Sequence, residues 1–182
     1  MGMKNALEIY FKKQREYWQA KYSTFPQMPY NKAIDECMII PNSLKDGYIQ
    51  WQPIPQDKTV DFSGLERKLN LSIHPRIKEY FTSFWFLSVV GNVGGKILEF
   101  TTVPYGINIP EQVENCYKFG VGKFPNDDVH FELGSALIDD DDSYLIYVDN
   151  ENAQIKCLQP EDNAVITIGS LEETITVMKV SM

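Results

Sequence analysis

The sequence feature that most constrains the fold is a glycine-rich run between two apolar segments. Gly91-Asn92-Val93-Gly94-Gly95 separates Trp85–Val90 from Lys96–Thr102. Glycine adopts positive φ at little cost, so such a run between two apolar segments predicts a β-hairpin. A phosphate-binding loop is the poorer interpretation, because no Lys-Ser/Thr pair follows and the run opens onto a strand. The sequence therefore predicts adjacent, antiparallel strands.

Helical patterns begin and end the chain, and further helices and neighbouring hairpins lie between them. The predicted helices are Ala6–Tyr22, Phe62–Leu69 with Asp61 as N-cap, Pro75–Ser83, Ile109 to about Lys118, and a final helix from the Ser170/Glu173 capping box to about Val180. The predicted strands are Gly47–Gln52, Val129–Leu133, Tyr144–Val148 and Ala153–Leu158, the last two joined by a turn at 149–152. Thr24–Pro41 is predicted to be irregular.

This order predicts an α+β fold: a single domain with a central, largely antiparallel sheet and helices packed against it. Four aromatic residues are expected in its core: Trp51, Tyr80, Phe81 and Phe84. For Trp51 an exposed position at an interface stays open as the alternative, because Pro53 and Pro55 lie close to it.

The length and composition indicate one domain spanning residues 1–182 in a reducing compartment. The chain has 182 residues, no apolar run long enough to span a bilayer, and no signal-peptide pattern at its start. Its three cysteines, Cys37, Cys116 and Cys157, form no C-x-x-C motif and are expected to be buried thiols. A soluble, intracellular, cytoplasmic protein is the expectation.

Charge is distributed unevenly along the chain. Residues 1–90 carry a net charge of +3, residues 91–182 carry −11, and residues 127–162 contain 11 acids and a single base, Lys156. Such a field repels phosphate backbones and attracts basic partners, so nucleic-acid binding is not expected. The simpler alternative is an acidic surface that only interacts with water.

Signatures of catalysis are missing from the sequence. G-x-S-x-G, Walker, G-x-G-x-x-G and H-E-x-x-H motifs do not occur. His74 precedes Pro75 at a helix start, and His130 lies in a strand, so neither has neighbouring metal ligands in sequence. A non-enzymatic protein without cofactor or metal is expected, although a Cys–His pair or metal site assembled by the fold stays open.

Asp139-Asp140-Asp141-Asp142 is the sharpest local feature of the sequence. Aligned as a calcium loop from Asp139, it places Tyr144 where glycine is needed and Asn150 where a bidentate glutamate belongs. Four adjacent like charges repel one another and favour an exposed loop. Three interpretations stay open: a solvated loop, a loop edge that binds a cationic partner, and a metal site.

Four segments together resemble the Syd protein family, and in their order they cover nearly the whole chain. Gly47-Tyr48-Ile49-Gln50-Trp51-Gln52-Pro53 is similar to its Y-W-Q-P-type strand, and the stretch from Leu71 to Phe84, containing His74-Pro75-Arg76-Ile77, is similar to its H-P-x-I helix. The later helix at Pro110–Lys118, the strand pair around Tyr144–Leu158 and the capped final helix follow in the family's order. The specific part of the resemblance covers about 25 residues around Trp51 and His74.

The resemblance implies membership of the SUKH superfamily of α+β protein binders. A Syd-like protein is expected to bind basic cytosolic loops of SecY, the channel of the secretion machinery, through an acidic surface. It would then lie on the cytoplasmic face of the inner membrane only through that protein contact. The alternative within the superfamily is an immunity protein that neutralises a secreted toxin, possibly a nuclease.

Residues and resemblance together predict an acidic partner-binding surface along one side of the sheet. Its expected members come from a strand, the loop after it and the next hairpin turn: Asp127, Asp128, Glu132, Asp139, Asp140, Asp141, Asp142, Asp149 and Glu151. Elements that follow one another in an antiparallel sheet tend to be neighbours, which is why these acids are grouped.

Overall fold

Five α-helices lie within the described part of the chain. The computed structural model describes residues 2–124 and 128–180, and of Asp141 and Asp142 it describes only the backbone. The helices are α1 (Met3–Tyr22), α2 (Ser63–Leu69), α3 (Pro75–Ser83), α4 (Ile109–Gly120) and α5 (Leu171–Val177). Apolar side chains recur every three or four residues along α1 and bury one of its faces. The predicted helix starts are confirmed to within three residues.

A seven-stranded antiparallel sheet forms the centre of the fold. Its strands are β5 (Val89–Val93), β6 (Lys96–Phe100), β7 (His130–Ile138), β8 (Asp141–Asp149), β9 (Gln154–Leu158), β10 (Val165–Ser170) and β11 (Lys179–Val180). They are arranged in the order β10-β9-β8-β7-β6-β5-β11. Every pairing in this sheet is antiparallel. The α+β prediction is confirmed.

Two short strand pairs lie outside the main sheet. They are β1 (Gln27–Pro29) with β2 (Tyr48–Gln50), and β3 (Ile54–Pro55) with β4 (Phe84–Trp85). The segment predicted to be irregular thus contains β1, and also a 3₁₀ turn at Glu36–Met38. Trp51 follows β2 and bridges to Ile39.

The core lies between one face of the sheet and the helices. Helix α4 packs on β7, while α1 packs against α3, α5 and the edge strand β11. Trp51, Tyr80, Phe81 and Phe84 are all buried, so the core prediction is confirmed and the exposed alternative for Trp51 is wrong. Within the described residues, none of the helices combines the length and apolar composition needed to cross a membrane.

Two glycines permit close contacts between strands. The predicted loop 91–95 shortens to a turn at Gly94 and Gly95, both with positive φ, because Gly91 belongs to β5. A Cβ on Gly91 would lie 2.5 Å from the Lys179 carbonyl oxygen of β11, and one on Gly134 would lie 2.0 Å from the Glu99 carbonyl oxygen. Gly134 therefore does not end β7, as the predicted strand boundary implied, but allows β6 to approach a bulge in it.

The predicted last helix is too long. Helix α5 ends at Val177, and the chain then pairs with β5 as β11. The β-branched residues of this region suit a strand as well as a helix, so pairing with an open sheet edge decides the outcome. Strand β10 was not predicted.

The prediction that all three cysteines are buried is wrong for Cys37. Cys116 and Cys157 are buried, whereas Cys37 is exposed. It lies in the 3₁₀ turn Glu36–Met38, in which Met38 supplies the buried side chain.

Candidate functional site

Two neighbouring turns place exposed carboxylates at one end of the main sheet. Asp139 and Asp140 form the β7–β8 turn with positive φ, and Glu161 and Asp162 lie in the β9–β10 connection. Since β8 is antiparallel to both β7 and β9, these two connections lie at the same end of the sheet. Adjacent strands are about 4.8 Å apart, so the axes of the two hairpins are about 10 Å apart. We call Asp139, Asp140, Glu161 and Asp162 the acidic edge.

The carboxylates of the acidic edge are not neutralised by nearby cations. All four residues are exposed. None forms an ion pair with a cation in the described part of the chain. The backbone of Asp141 begins β8 directly beside them. The edge is thus a concentration of negative charge that a cationic partner would compensate.

Other predicted site residues lie at the opposite end of the same hairpin. Asp128 precedes β7, Asp149 ends β8 and Glu151 follows it. Strands β7 and β8 each have nine residues, which separates the two ends by about 27 Å. Glu132 lies nearer this second end, paired with Tyr147, and Asp127 lies outside the described residues. The predicted acids are therefore divided between two ends, because nearness in sequence does not say at which end of a strand a residue lies.

Asp149 is buried in a polar cluster on the sheet face opposite the main core. Its Oδ2 accepts a hydrogen bond from Lys156 Nζ at 2.9 Å, and its Oδ1 accepts one from the Glu151 backbone N–H at 2.8 Å. Lys156 Nζ also lies 3.0 Å from His130 Nε2. Phe124 covers this cluster, since its ring stacks on His130 with centroids 3.8 Å apart. Asp149 is thus an internal counter-ion of Lys156.

The electrostatics of this cluster hold His130 neutral. Burial lowers the pKa of His130 below its ordinary value of 6.5, and the Lys156 ammonium lowers it further. Its Nδ1 lies 3.1 Å from the Asp128 carbonyl oxygen and donates to it, so Nε2 is left to accept from Lys156. Burial alone would raise the pKa of Asp149, but hydrogen bonds from Lys156 and Glu151 outweigh it and the pKa falls. A neutral histidine with both nitrogens engaged is not poised as a general base.

The thiols are not arranged as nucleophiles. Burial raises the pKa of both Cys116 and Cys157 to about 12, so both are protonated near neutral pH. Cys157 neighbours Lys156 in β9 and therefore points to the sheet face opposite His130. Among described side chains, His, Cys, Asp and Glu do not gather in groups of three that would hold a metal ion. The exposed carboxylates of the acidic edge are suited to binding a cationic group by charge.

Sequence reasoning missed Glu161 and Asp162 as members of the acidic edge. They follow Gln159, whose side-chain oxygen accepts hydrogen bonds from both of their backbone N–H groups. If β10 had been predicted, residues 159–164 would have been recognised as a hairpin connection beside Asp139 and Asp140. The available signal was the alternation in Val165-Ile166-Thr167-Ile168.

Comparison with known proteins places the chain in a family. The family model described as Syd protein (SUKH-2) matches residues 4–103, more than half of the chain. The chain belongs to the Syd family. Protein Syd of Psychromonas ingrahamii is 28% identical over 75 residues, which are 41% of this chain. Protein Syd of Shewanella frigidimarina is 27% identical over 88 residues, which are 47% of this chain. The matched part spans 40% of each of these relatives.

The Syd match and the acidic edge occupy different parts of the chain. The matched residues 4–103 include α1, Trp51, α3 and the β5–β6 hairpin. The acids predicted from the sequence all lie after them. Membership of the Syd family therefore supports the fold and the resemblance around Trp51 and His74, and the match does not extend to the acidic edge.

Proposed function

We propose that residues 1–182 act as one Syd-like, non-catalytic domain that binds a basic protein segment through the acidic edge. By analogy with the family, the partner is a basic cytosolic loop of a SecY-type channel, and the protein reaches the membrane surface only through that contact. Binding needs no cofactor, metal or nucleic acid. The cytoplasm is the compartment in which such loops are accessible.

The observation that carries this proposal is the pair of adjacent acidic turns. Asp139, Asp140, Glu161 and Asp162 are exposed and lack ion pairs within the described residues, so their mutual repulsion is relieved only by solvent, salt or a partner. Asp141 and Asp142 follow Asp140 directly and are proposed as members of the same surface. Asp127, Asp128, Glu132 and Glu151 are proposed as a second, weaker acidic area, and Asp149 contributes least because Lys156 pairs with it.

The decisive experiment neutralises the acidic edge and measures association with purified SecY channel in nanodiscs. The variant combines Asp139→Asn, Asp140→Asn, Glu161→Gln and Asp162→Asn; asparagine tolerates the positive φ of the β7–β8 turn. Because complementary charge mainly accelerates encounter, the association rate should fall about 10-fold at low salt. The difference should shrink at high salt, where the Debye length falls to a few ångströms.

A matched variant separates a local effect from one of net charge. It removes four exposed acids from the family-matched half through Glu16→Gln, Glu36→Gln, Asp46→Asn and Asp57→Asn. Both variants lose the same charge, so the proposal requires a clearly larger loss of rate in the edge variant. Equal rates for both variants and the parent chain across salt concentrations would show that the edge is only solvated surface.

The second candidate partner is the basic substrate cleft of a secreted toxin. The observation that favours it is that the family is described as SUKH-2, the superfamily for which the sequence resemblance implies immunity proteins. The same edge variant discriminates the two: channel binding that depends on the edge supports the first partner. Edge-dependent inhibition of a toxin encoded beside this chain, without channel binding, supports the second.

A further inference from the structure

Strand β10 is an open edge of the main sheet. It lies at one end of the strand order and pairs with β9, and among the described residues its outer side carries no further strand. Val165 is 47% exposed, and Thr167 is exposed as well. An uncovered edge presents unpaired backbone N–H and C=O groups, which form a template for another strand.

The register shows which backbone groups of β10 face outward. In an antiparallel pair, residue pairs that exchange hydrogen bonds alternate with pairs that do not. The Gln159 N–H donates to the Ala164 carbonyl oxygen at 2.9 Å, so Ala164 and, two residues further, Ile166 face β9. The N–H and C=O groups of Val165 and Thr167 therefore point away from β9. These four groups are available to an added strand.

The first half of β10 has no feature that prevents pairing. Natural edge strands are commonly protected by a lysine, a proline or a bulge. The run Val165-Ile166-Thr167-Ile168 contains neither a charge nor a proline. A bulge between Thr167 and Gly169 interrupts the ladder with β9, which limits regular pairing to the residues before it. An added strand would be short, so contacts beyond the backbone have to contribute to its affinity.

The two faces of β10 favour different side chains in an added strand. Ile166 and Ile168 are half-buried and pack against the margin of the main core. Apolar β-branched side chains opposite them would complete their burial. Val165 and Thr167 are exposed to solvent, so a polar side chain such as threonine fits opposite them. The edge therefore favours a segment in which apolar and polar residues alternate.

The acidic edge determines the charge of the partner segment. Glu161 and Asp162 are exposed just before β10, and Asp139 and Asp140 lie in the neighbouring turn at the same end of the sheet. A strand added antiparallel to β10 runs toward this end, so its C-terminal residues lie beside these carboxylates. Lysine or arginine at that end of the segment would be attracted.

Charge argues against a second copy of this chain as the occupant. If two β10 strands paired antiparallel, the residues before one strand would lie beside those after the other. Glu161 and Asp162 would then approach Glu172 and Glu173 at the start of α5. Glu172 pairs with Arg76, but Glu173 forms no ion pair within the described residues. Self-pairing would bring carboxylates together at both ends, whereas a basic segment would neutralise them.

We propose that β10 binds an extended basic segment of a partner protein as an added antiparallel strand. Val165 and Thr167 each exchange two backbone hydrogen bonds with it, and its apolar side chains cover Ile166 and Ile168. Lysines or arginines at its C-terminal end contact the acidic edge. This inference rests on the function proposed for the acidic edge, and it adds the conformation and the direction of the bound segment.

A synthetic peptide tests the pairing. The probe is acetyl-Val-Thr-Val-Thr-Ser-Lys-Lys-Lys-amide, whose threonines would lie opposite Val165 and Thr167. It is titrated into ¹⁵N-labelled protein, and hydrogen exchange of backbone amides is measured with and without it. In the free protein the amides of Val165 and Thr167 should exchange faster than that of Ile166. Saturating peptide should slow exchange at Val165 and Thr167 about 10-fold or more.

Methylation of the peptide backbone separates strand pairing from attraction by charge. In the proposed pairing the N–H groups of both threonines point toward β10, and those of both valines point to solvent. N-methylation of the two threonines should weaken binding about 10-fold or more, because two hydrogen bonds are lost. N-methylation of the two valines is the matched control and should weaken binding less than about 3-fold.

Two further peptides test the charge and the direction of the segment. Serines in place of the three lysines should weaken binding about 10-fold at low salt, and the difference should shrink at high salt. Transfer of the three lysines to the N-terminal end of the peptide should weaken it as well, because they would then lie at the end of β10 remote from the acidic edge.

A pair of variants tests the same contact from the side of the protein. Val165→Pro removes an outward N–H and no hydrogen bond to β9, and proline is tolerated at such edge positions. It should weaken binding of the lysine peptide about 5-fold. Val165→Ala, which keeps the N–H, is the control and should bind within about 2-fold of the parent chain. If Val165→Pro does not fold, the two methylated peptides still decide.

Four results would overturn the proposal. The first two are unchanged exchange at Val165 and Thr167 with millimolar lysine peptide, and equal affinity of the two methylated peptides. The third is binding of the serine peptide, or of the peptide with N-terminal lysines, as tight as that of the lysine peptide at low salt. The fourth is a dimer in sedimentation that Val165→Pro dissociates, which would make a second copy the occupant.

Failure of this inference can be told apart from failure of the function proposed for the acidic edge. If the lysine peptide shifts Asp139 and Asp162 without protecting Val165 and Thr167, strand pairing is refuted and the acidic edge remains a site for cations. If neutralisation of the acidic edge leaves association with the channel unchanged, the proposed function is refuted, whatever the peptides show at β10.

Discussion

Residues 4–103 and the part of the chain after them relate differently to the fold. The first region carries the family match, and its characteristic residues are packing residues: Trp51, Ile77 and Tyr80 are all buried. The second region supplies most of the main sheet, yet its most conspicuous residues, Asp139 and Asp140, are exposed in a turn. Residues that define a family can thus specify the scaffold, while turn residues set the surface charge.

One residue of the second region connects the two physically. Asn150, in the β8–β9 turn, accepts a hydrogen bond from the His74 backbone N–H and donates one to the Ser72 carbonyl oxygen, both at 2.8 Å. His74 in turn caps α3, since its Nδ1 accepts from the Arg76 backbone N–H. The start of the H-P helix is therefore held by a turn that lies outside the family match.

The largest expected effect tests whether the first region is scaffold. Trp51→Ala removes a side chain that is 1% exposed and should lower the free energy of unfolding by about 3–5 kcal/mol. Urea denaturation monitored by circular dichroism measures it. Tyr48→Ala is the control in the same segment: Tyr48 is 51% exposed, and its loss should change stability by less than about 1 kcal/mol. Equal effects of the two changes would refute the packing role of Trp51.

The fold was predictable where local chemistry agrees with tertiary packing. The capped helices α3 and α5 begin where Pro75 and the Ser170/Glu173 pair place them, and the β5–β6 hairpin turns at glycines. Where the predicted boundaries of helices and strands were wrong, the observed boundaries depend on contacts between residues far apart in the chain. Strand β11 exists because β5 has a free edge, and β7 continues through Gly134 because β6 lies against it.

The candidate site was predictable in charge and not in geometry. The sequence shows many acids between residues 127 and 162, but not that β8 separates Asp139 from Asp149 by its whole length. Nor could it show that Lys156, two residues into β9, would lie beside Asp149 and neutralise it. Pairing across strands depends on register, which only the complete sheet determines.

A smaller effect tests the connection between the two regions. Asn150→Ala removes both hydrogen bonds to the loop before α3 and should lower the free energy of unfolding by about 1–2 kcal/mol. Hydrogen exchange of the His74 amide should also accelerate, because its acceptor is lost. Asn152→Ala is the matched control in the same turn, since within the described residues its side chain accepts a hydrogen bond only from the nearby Gln154 backbone N–H. Unchanged exchange at His74 would mean that the turn does not hold the α3 start.

The smallest expected effect concerns the second region and is a loss of stability at acidic pH. Because the pKa of His130 is lowered in the folded protein, the unfolded chain binds more protons once the pH falls below about 6.5. The stability contributed by the neutral imidazole is therefore complete above that pH and is lost as the pH falls through 6.5 and below. Carboxylates with ordinary pKa values near 4 stay ionised down to about pH 5.5, so they contribute little to the change between pH 7.5 and 5.5.

The melting temperature should decrease over this interval, and the decrease should be shallower in His130→Gln, which retains a polar group beside Lys156 and Asp149. If the melting temperature of His130→Gln decreases as steeply as that of the parent chain, the acid sensitivity comes from another group. The cluster around Asp149 then does not explain it.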